Sequence, residues 1–248
     1  MSKILWKANS ETKLKSNLYR FEKFISKKFD KKFYKKYEKI LNWSIKYPGD
    51  FWSSIWDFCK VKGIKSNYKI KKSKIFYKNI FLPNSSLNFA QNLLSKKTPS
   101  KAITFLSENG FREERAWKDL HNNVSKLQVF FNRIKLLNGN RVAAYTINSI
   151  ETVEAFLATA SIGAVWSSCS PDFGVKGVIQ RFAQIKPKVL FVTDRYYYNG
   201  KEINILERVP EILKKIKSIK EVIVFPYFNK FDNKINSKYY DFYSVLKG

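Results

Sequence analysis

Histidine is almost absent from this chain: His121 is the only one in 248 residues. A Ser-His-Asp triad or a His-based metal site would have to use it. It falls on a predicted amphipathic helix, where a surface position is expected. Cysteine is nearly as scarce. Cys59 and Cys169 lie far apart, which gives neither a disulfide framework nor a Cys/His cluster with metal spacing. Long apolar runs are missing. None reaches the length of a membrane span, and the N-terminus has no signal-peptide apolar region. A reduced cytoplasmic setting without a membrane partner is the expectation. Glycine (9 residues) and proline (7) are few, and no Gly-Lys-Ser/Thr run occurs, which excludes a Walker-type phosphate cradle.

Acidic residues are also in deficit. Lys+Arg 47 against Asp+Glu 20 gives a net charge of +27. A polyanionic partner would account for that. So would codon usage, because Lys, Asn, Ile, Phe and Tyr are the residues AT-rich codons favour. The lysines are scattered along the whole chain and form no motif. No nucleic-acid partner is therefore expected.

What is present changes character near residue 100. Before it the chain is aromatic, basic and mainly helical. "NLYRFEKFISKKFDKKFYKKYEKILNWSI" places Phe21, Phe24, Ile25, Phe29, Phe33, Tyr37 and Ile40 at roughly helical spacing. Pro48-Gly49 reads as a turn, with Asp50 as N-cap of a helix carrying Trp52, Ile55, Trp56 and Cys59. After residue 100, strand and helix patterns alternate. "KAITFLS", "RVAAYTI", "VWSS", "KVLFVT" and "EVIVFP" read as strands, with amphipathic helices between them. That alternation predicts an α/β fold of βαβ units with a parallel sheet covered on both faces. "KVLFV" is continuously apolar, as a central strand requires. Asn148 is the expected cap of the helix after "RVAAYTI", with Glu151 completing a capping box. Pro210 interrupts a helical pattern and is expected at the first turn of a separate helix. The last stretch, "NKFDNKINSKYYDFYSVLKG", reads as irregular. The organisation expected is a mainly helical region over 1–98 and an incomplete α/β domain over 99–248.

"WSSCSPDFG", residues 166–174, joins a predicted strand to a predicted helix. Ligands bind at that edge of open α/β sheets, and helix N-termini there suit anions. The loop is placed for a phosphate or a carboxylate. A nucleophilic Cys169 would need a base or cation beside it, and the single histidine lies on a distant helix. Pro171 and Asp172 read more simply as a turn, with Asp172 or Gly174 opening the next helix.

The residues from Arg141 to Lys201, "RVAAYTINSIETVEAFLATASIGAVWSSCSPDFGVKGVIQRFAQIKPKVLFVTDRYYYNGK", resemble the acetoacetyl-CoA synthetases. These belong to the acyl- and aryl-CoA synthetases that form an acyl-adenylate. "WSSCSPDFG", "RFAQIKPKVLF" and "YNGK" carry the resemblance. "FWSSIWDFCKVKG" and "LNFAQNLLSKK" resemble the family's N-terminal cap region. Asn140 departs from the usual Asp before Arg-Val, and Thr146-Ile147 replace the common Leu-Pro.

The resemblance implies a two-step ligation of acetoacetate and CoA that uses ATP and Mg²⁺. The family's ATP and Mg²⁺ machinery would lie beyond Gly248, so no catalytic residue is assigned. This chain alone is expected to be inactive, with a separately encoded C-terminal half as a candidate partner. The alternative is a non-catalytic relic, or a CoA-binding or partner module of a split synthetase; a basic nucleic-acid or membrane-surface binder is a third reading, ranked last. The resemblance carries over part of the CoA side. Ser170, Pro171 and Asp172 align with a loop beside the CoA nucleotide. Lys201 aligns with a cation that meets a CoA phosphate, and Tyr198 aligns with a second cation.

Overall fold

The computed structural model describes residues 4–30, 33, 37–227 and 238–247. The chain divides into two compact units, Met1–Leu87 and Asn88–Gly248.

The first unit carries helices α1 (Ser10–Lys15), α2 (Asn17–Phe29), α3 (Tyr37–Lys46) and α4 (Pro48–Phe58). Strands β1 (Gly63–Ile64), β2 (Ile70–Lys71), β3 (Ile80–Phe81) and β4 (Ser86–Leu87) follow. They form two antiparallel ribbons, β1 with β4 and β2 with β3. Phe21, Ile25, Phe33, Ile40 and Trp43 make its buried core, with Phe51 and Phe58 packed on them. The long basic amphipathic stretch is not one helix. α2 stops at Asp30, a left-handed C-cap with φ of 50°.

Asp50 is not the N-cap expected of it. Pro48 takes the first position of α4, where a missing N–H costs nothing, and Tyr47 stands at the cap. Asp50 sits in the first turn instead and meets Lys69 Nζ at 2.6 Å.

The second unit opens with α5 (Phe89–Leu93). Strands β5 (Lys101–Leu106) and β6 (Arg112–Ala116) then lead into α6 (Trp117–Arg133). β7 (Arg141–Tyr145), α7 (Ile150–Ser161), β8 (Val165–Cys169), α8 (Val175–Ile185) and β9 (Val189–Thr193) follow. A hairpin of β10 (Arg195–Tyr198) and β11 (Lys201–Asn204) comes next, then a 3-10 turn at Leu206–Arg208 and α9 (Val209–Lys215). β12 (Glu221–Phe225), β13 (Tyr240–Asp241) and α10 (Phe242–Val245) close the described chain.

The five-stranded sheet has the order β13-β12-β9-β7-β8, and every pair is parallel. Its two faces follow from strand alternation. Val142, Ala144, Phe191, Ile223 and Phe225 are buried with residues of α6, α7 and α10. Ala143, Tyr145, Leu190, Val192 and Val224 are buried with residues of α8 and α9. Full burial of each Val, Leu, Ile or Phe side chain among them is worth about 1.5–3 kcal/mol before chain entropy is counted. β9 is buried at all five positions, which is why its sequence is continuously apolar.

Several local expectations change. "KAITFLS" is a strand, but it pairs antiparallel with β6 and stands outside the parallel sheet. Gly110, at φ of 84°, turns the chain straight back. Asn148 does not cap α7. Ser149 does, its Oγ accepting from Thr152 N at 3.4 Å, and Glu151 instead accepts from the Tyr243 hydroxyl at 2.7 Å. Pro210 lies in the first turn of α9, after the separate 3-10 turn. Of the tail read as irregular, residues 228–237 lie outside the described residues. Tyr240–Val245 adopt regular structure because Phe242 and Val245 bury against the α6 and α7 face of the sheet. No described helix is long and apolar enough to cross a membrane.

Candidate functional site

β7 is the strand at which the sheet changes direction. From β7 the chain moves to β8 on one side, then crosses to β9 on the other. The helices that follow β7 and β8 pack on opposite faces of the sheet. Their leading loops therefore flank one crevice at the carboxyl edge, where open α/β sheets bind ligands. That crevice is an open cleft of about 280 Å³. Thr146, Asn148 and Thr152 line one side, Ser168 to Asp172 the other, and Tyr196 and Tyr198 of β10 complete it. A groove of about 450 Å³ in the first unit runs among Leu14, Leu18, Tyr19 and Ile40. It gathers no motif residue, so the smaller cleft is the candidate.

Hydrogen bonds set the cleft's side chains. Thr152 Oγ1 donates to Ile147 O at 2.7 Å and lies 2.9 Å from Thr146 Oγ1. Thr146 N donates to Cys169 O at 3.1 Å, which ties the two loops together. Ser170 Oγ donates to Asp172 Oδ2 at 2.7 Å. The Tyr196 hydroxyl also reaches the Asp172 carboxylate. Burial and that carboxylate push the phenol up to about 12, so Tyr196 stays a neutral donor.

Beneath this loop the buried Tyr145 donates its hydroxyl to Phe173 O at 2.6 Å, with Pro171 O at 3.1 Å. Arg208 Nη1 donates to Tyr145 Oη at 2.7 Å and to Pro171 O at 3.1 Å. Gly174 is the N-cap residue of α8, one of the two positions expected to open that helix.

The β10–β11 hairpin turns through Asn199 and Gly200, at φ of 48° and 72°. Two successive left-handed residues, Asn then Gly, are what a two-residue hairpin of primed type demands. Gly200 N donates to Glu108 Oε1 at 3.2 Å, which anchors the tip. Tyr198 pairs directly with Lys201. Directly opposed residues project to the same face of a ribbon, and so do residues two apart. Lys201 therefore shares a face with Tyr198 and Tyr196.

The structure brings four of the five residues chosen from sequence into one cleft: Ser170, Pro171, Asp172 and Tyr198. Lys201 is exposed and stands outside the lining, across the ribbon from Tyr198. Thr146, Asn148, Thr152 and Tyr196 also line the cleft and were not expected there. The Asn-Gly pair is the signal that could have found the hairpin, and with it Tyr196. Cys169 lines the cleft but is buried, and burial pushes its thiol up. No histidine lines the cleft beside it. Among the described residues no group of three His, Cys, Asp or Glu is arranged to hold a metal.

Among the described residues of the lining, Asp172 is the only charged one. The cleft itself suits neutral hydrogen-bonding groups, and an anionic group fits at the Lys201 side.

The family model described as AMP-binding enzyme matches residues 94–240. The acetoacetyl-coenzyme A synthetase of Rhizobium meliloti (strain 1021) is 36% identical over 223 residues, 90% of this chain and 34% of that protein. The malonamoyl-CoA synthetase vrtB of Penicillium aethiopicum is 31% identical over 229 residues, 89% of this chain and 31% of that protein. Among solved structures, the acetoacetyl-CoA synthetase from Streptomyces lividans superposes with a TM-score of 0.92 at 24% identity. It is matched over 100% of this chain and 38% of its own. The chain thus spans about a third of the length of these relatives. With the family model covering more than half of its residues, the chain belongs to the AMP-binding enzymes.

Proposed function

We propose that this chain supplies the CoA-nucleotide side of an acetoacetyl-CoA synthetase. In that reaction ATP and acetoacetate form acetoacetyl-AMP and diphosphate, and the CoA thiol then displaces AMP to give acetoacetyl-CoA. One observation supports the reading above the others. The hairpin register sets Lys201 on the face of Tyr196 and Tyr198, next to the cleft that holds Ser170, Pro171 and Asp172. A nucleotide carries both kinds of group that arrangement suits. Its neutral ring and hydroxyls fit a cleft of hydroxyl, amide and carboxylate side chains, with Asp172 accepting from a ligand N–H or O–H. Its phosphate fits a point charge at the rim.

The adenylation chemistry is assigned to none of these residues, and on this reading the ATP and Mg²⁺ sites of the synthetase are supplied from outside them. We expect the chain by itself to make no acetoacetyl-CoA and to need a C-terminal half, encoded separately or as a continuation. The reading places the reaction in the cytoplasm and involves no nucleic acid or membrane. A relative acting on a different acyl group, as the name malonamoyl-CoA synthetase says, matches equally long stretches of this chain. Acetoacetate as the acyl substrate accordingly rests on the greater number of acetoacetyl-CoA synthetases among the relatives.

The test is calorimetric titration of the purified chain with CoA and with pantetheine, which lacks the nucleotide. CoA is expected to bind and pantetheine to bind far more weakly. Equal binding of the two, or none of CoA, overturns the assignment. A coupled assay with ATP, acetoacetate and CoA is expected to show no turnover by the isolated chain.

A further inference from the structure

We infer that Arg208 is a positioning residue that locks the 170–174 loop to the root of the β10–β11 hairpin, so that the two sides of the cleft move as one. The functional consequence rests on the CoA reading above; the mechanical one does not. Arg208 is not among the residues that line the cleft.

The need for a cation follows from counting protons. Three oxygens converge beneath the loop: Pro171 O, Phe173 O and Tyr145 Oη. Tyr145 has one proton, and it is best placed on Phe173 O at 2.6 Å. Pro171 O and the phenol oxygen are then left facing each other as acceptors in a partly buried site. Arg208 Nη1 lies within donating distance of both, at 3.1 and 2.7 Å. A charged donor between two acceptors is stronger than a neutral one, and its loss leaves Pro171 O and the acceptor side of the phenol without a donor.

The other end of Arg208 is fixed as well. Asp194 O accepts from Ile205 N at 2.8 Å and Leu206 N at 3.3 Å, just before Arg208. The Asp194 carboxylate in turn accepts from Arg195 N, Arg195 Nε and Tyr227 N at 2.7 to 2.9 Å. The hairpin root, the end of β9 and Arg208 thus form one frame. Ser170 and Asp172 ride on the loop that Arg208 holds. Tyr196 and Tyr198 ride on the hairpin that starts at the same frame.

The test compares Arg208→Gln, Arg208→Lys and Tyr145→Phe in the full chain. Amide hydrogen exchange reads the loop at Asp172 to Gly174, with Val189–Thr193 of β9 as the internal control. CoA titration reads the site. Arg208→Gln is expected to speed exchange in the loop while β9 stays protected, and to weaken CoA by about tenfold or more. Arg208→Lys is expected to restore much of both, since an ammonium can donate to two oxygens. The Gln and Phe changes are expected to be non-additive, because they break one network.

Wild-type loop exchange in Arg208→Gln overturns the inference, as does equal loosening of the loop and β9. So does strict additivity with Tyr145→Phe. If the wild-type chain binds no CoA, the CoA reading fails and the exchange data alone decide the role of Arg208. If Arg208→Gln does not fold, Arg208→Lys and Tyr145→Phe carry the same comparison.

Discussion

Arg115 Nε on β6 lies 2.9 Å from Glu154 Oε1 on α7, in the interior. The contact is an ion pair without an aligned hydrogen bond at Nε, and Glu154 Oε2 has no hydrogen-bond partner among the described residues. Asn123 Nδ2 donates to the same Oε1 at 2.9 Å. Burial is the largest influence on Glu154 and outweighs the attraction of Arg115. It lifts the carboxyl from its ordinary 4.5 to about 7.

The sign of the pH dependence follows. Between 4.5 and 7 the folded state holds the Glu154 proton more tightly than the unfolded chain does. That stabilisation is complete below 4.5 and is lost as pH rises to about 7. Its size is about 3–4 kcal/mol at most, at about 1.4 kcal/mol per pKa unit. Denaturant unfolding of the wild type and of Glu154→Gln across this range should show the difference. The wild type is expected to lose stability relative to Glu154→Gln as pH rises, and a flat difference would contradict the coupling. Arg115→Ala should cost about 3–5 kcal/mol at pH 8 and less at pH 5, where Glu154 can take up a proton.

Gly200→Ala tests the hairpin. A Cβ there meets nothing within 4 Å, so the penalty is backbone strain alone at φ of 72°. About 1 kcal/mol is expected, confined to the hairpin. Cross-strand contacts between Tyr198 and Lys201, followed by NMR, should weaken while the sheet stays intact.

Phe191→Ala tests the core. Phe191 is fully buried on β9 and packs edge-on to Phe131, with Trp166 at 6.0 Å between ring centres. Removing the ring should cost about 3–5 kcal/mol by urea unfolding. A loss below about 1 kcal/mol would mean that the site collapses around the gap.

The two thiols should separate by reactivity. Cys59 is exposed, while Cys169 is buried and its thiol is pushed up by burial. A thiol reagent at neutral pH is expected to modify one cysteine rapidly in the folded protein and both in urea. Rapid modification of Cys169 in the folded chain would revive its candidacy as a nucleophile.

Element type was largely legible in the residues. Helical spacing marked α6, α7 and α8, and a continuous apolar run marked β9. Periodicity of 3.6 or 2 is a property of neighbours in sequence. Two of the remaining strands carry weak local signals. β6 is "REERA", charged along most of its length, and β13 is two residues long. The cap of α7 lies one residue beyond the expected Asn148, because Asn148 and Ser149 are both good caps and only the backbone chooses between them.

The sequence by itself determined that this is an α/β chain in which "WSSCSPDFG" carries a strand into a helix, and it contains, unread, the Asn-Gly pair that turns the hairpin before Lys201. Tertiary structure alone decided that the loop and the turn share a cleft. Tyr145 and Arg208 are 63 residues apart, and their contact depends on β7 lying between β8 and β9. That order comes from helices packing on opposite faces of the sheet, a balance of buried area summed over the whole unit. No window of neighbouring residues contains it.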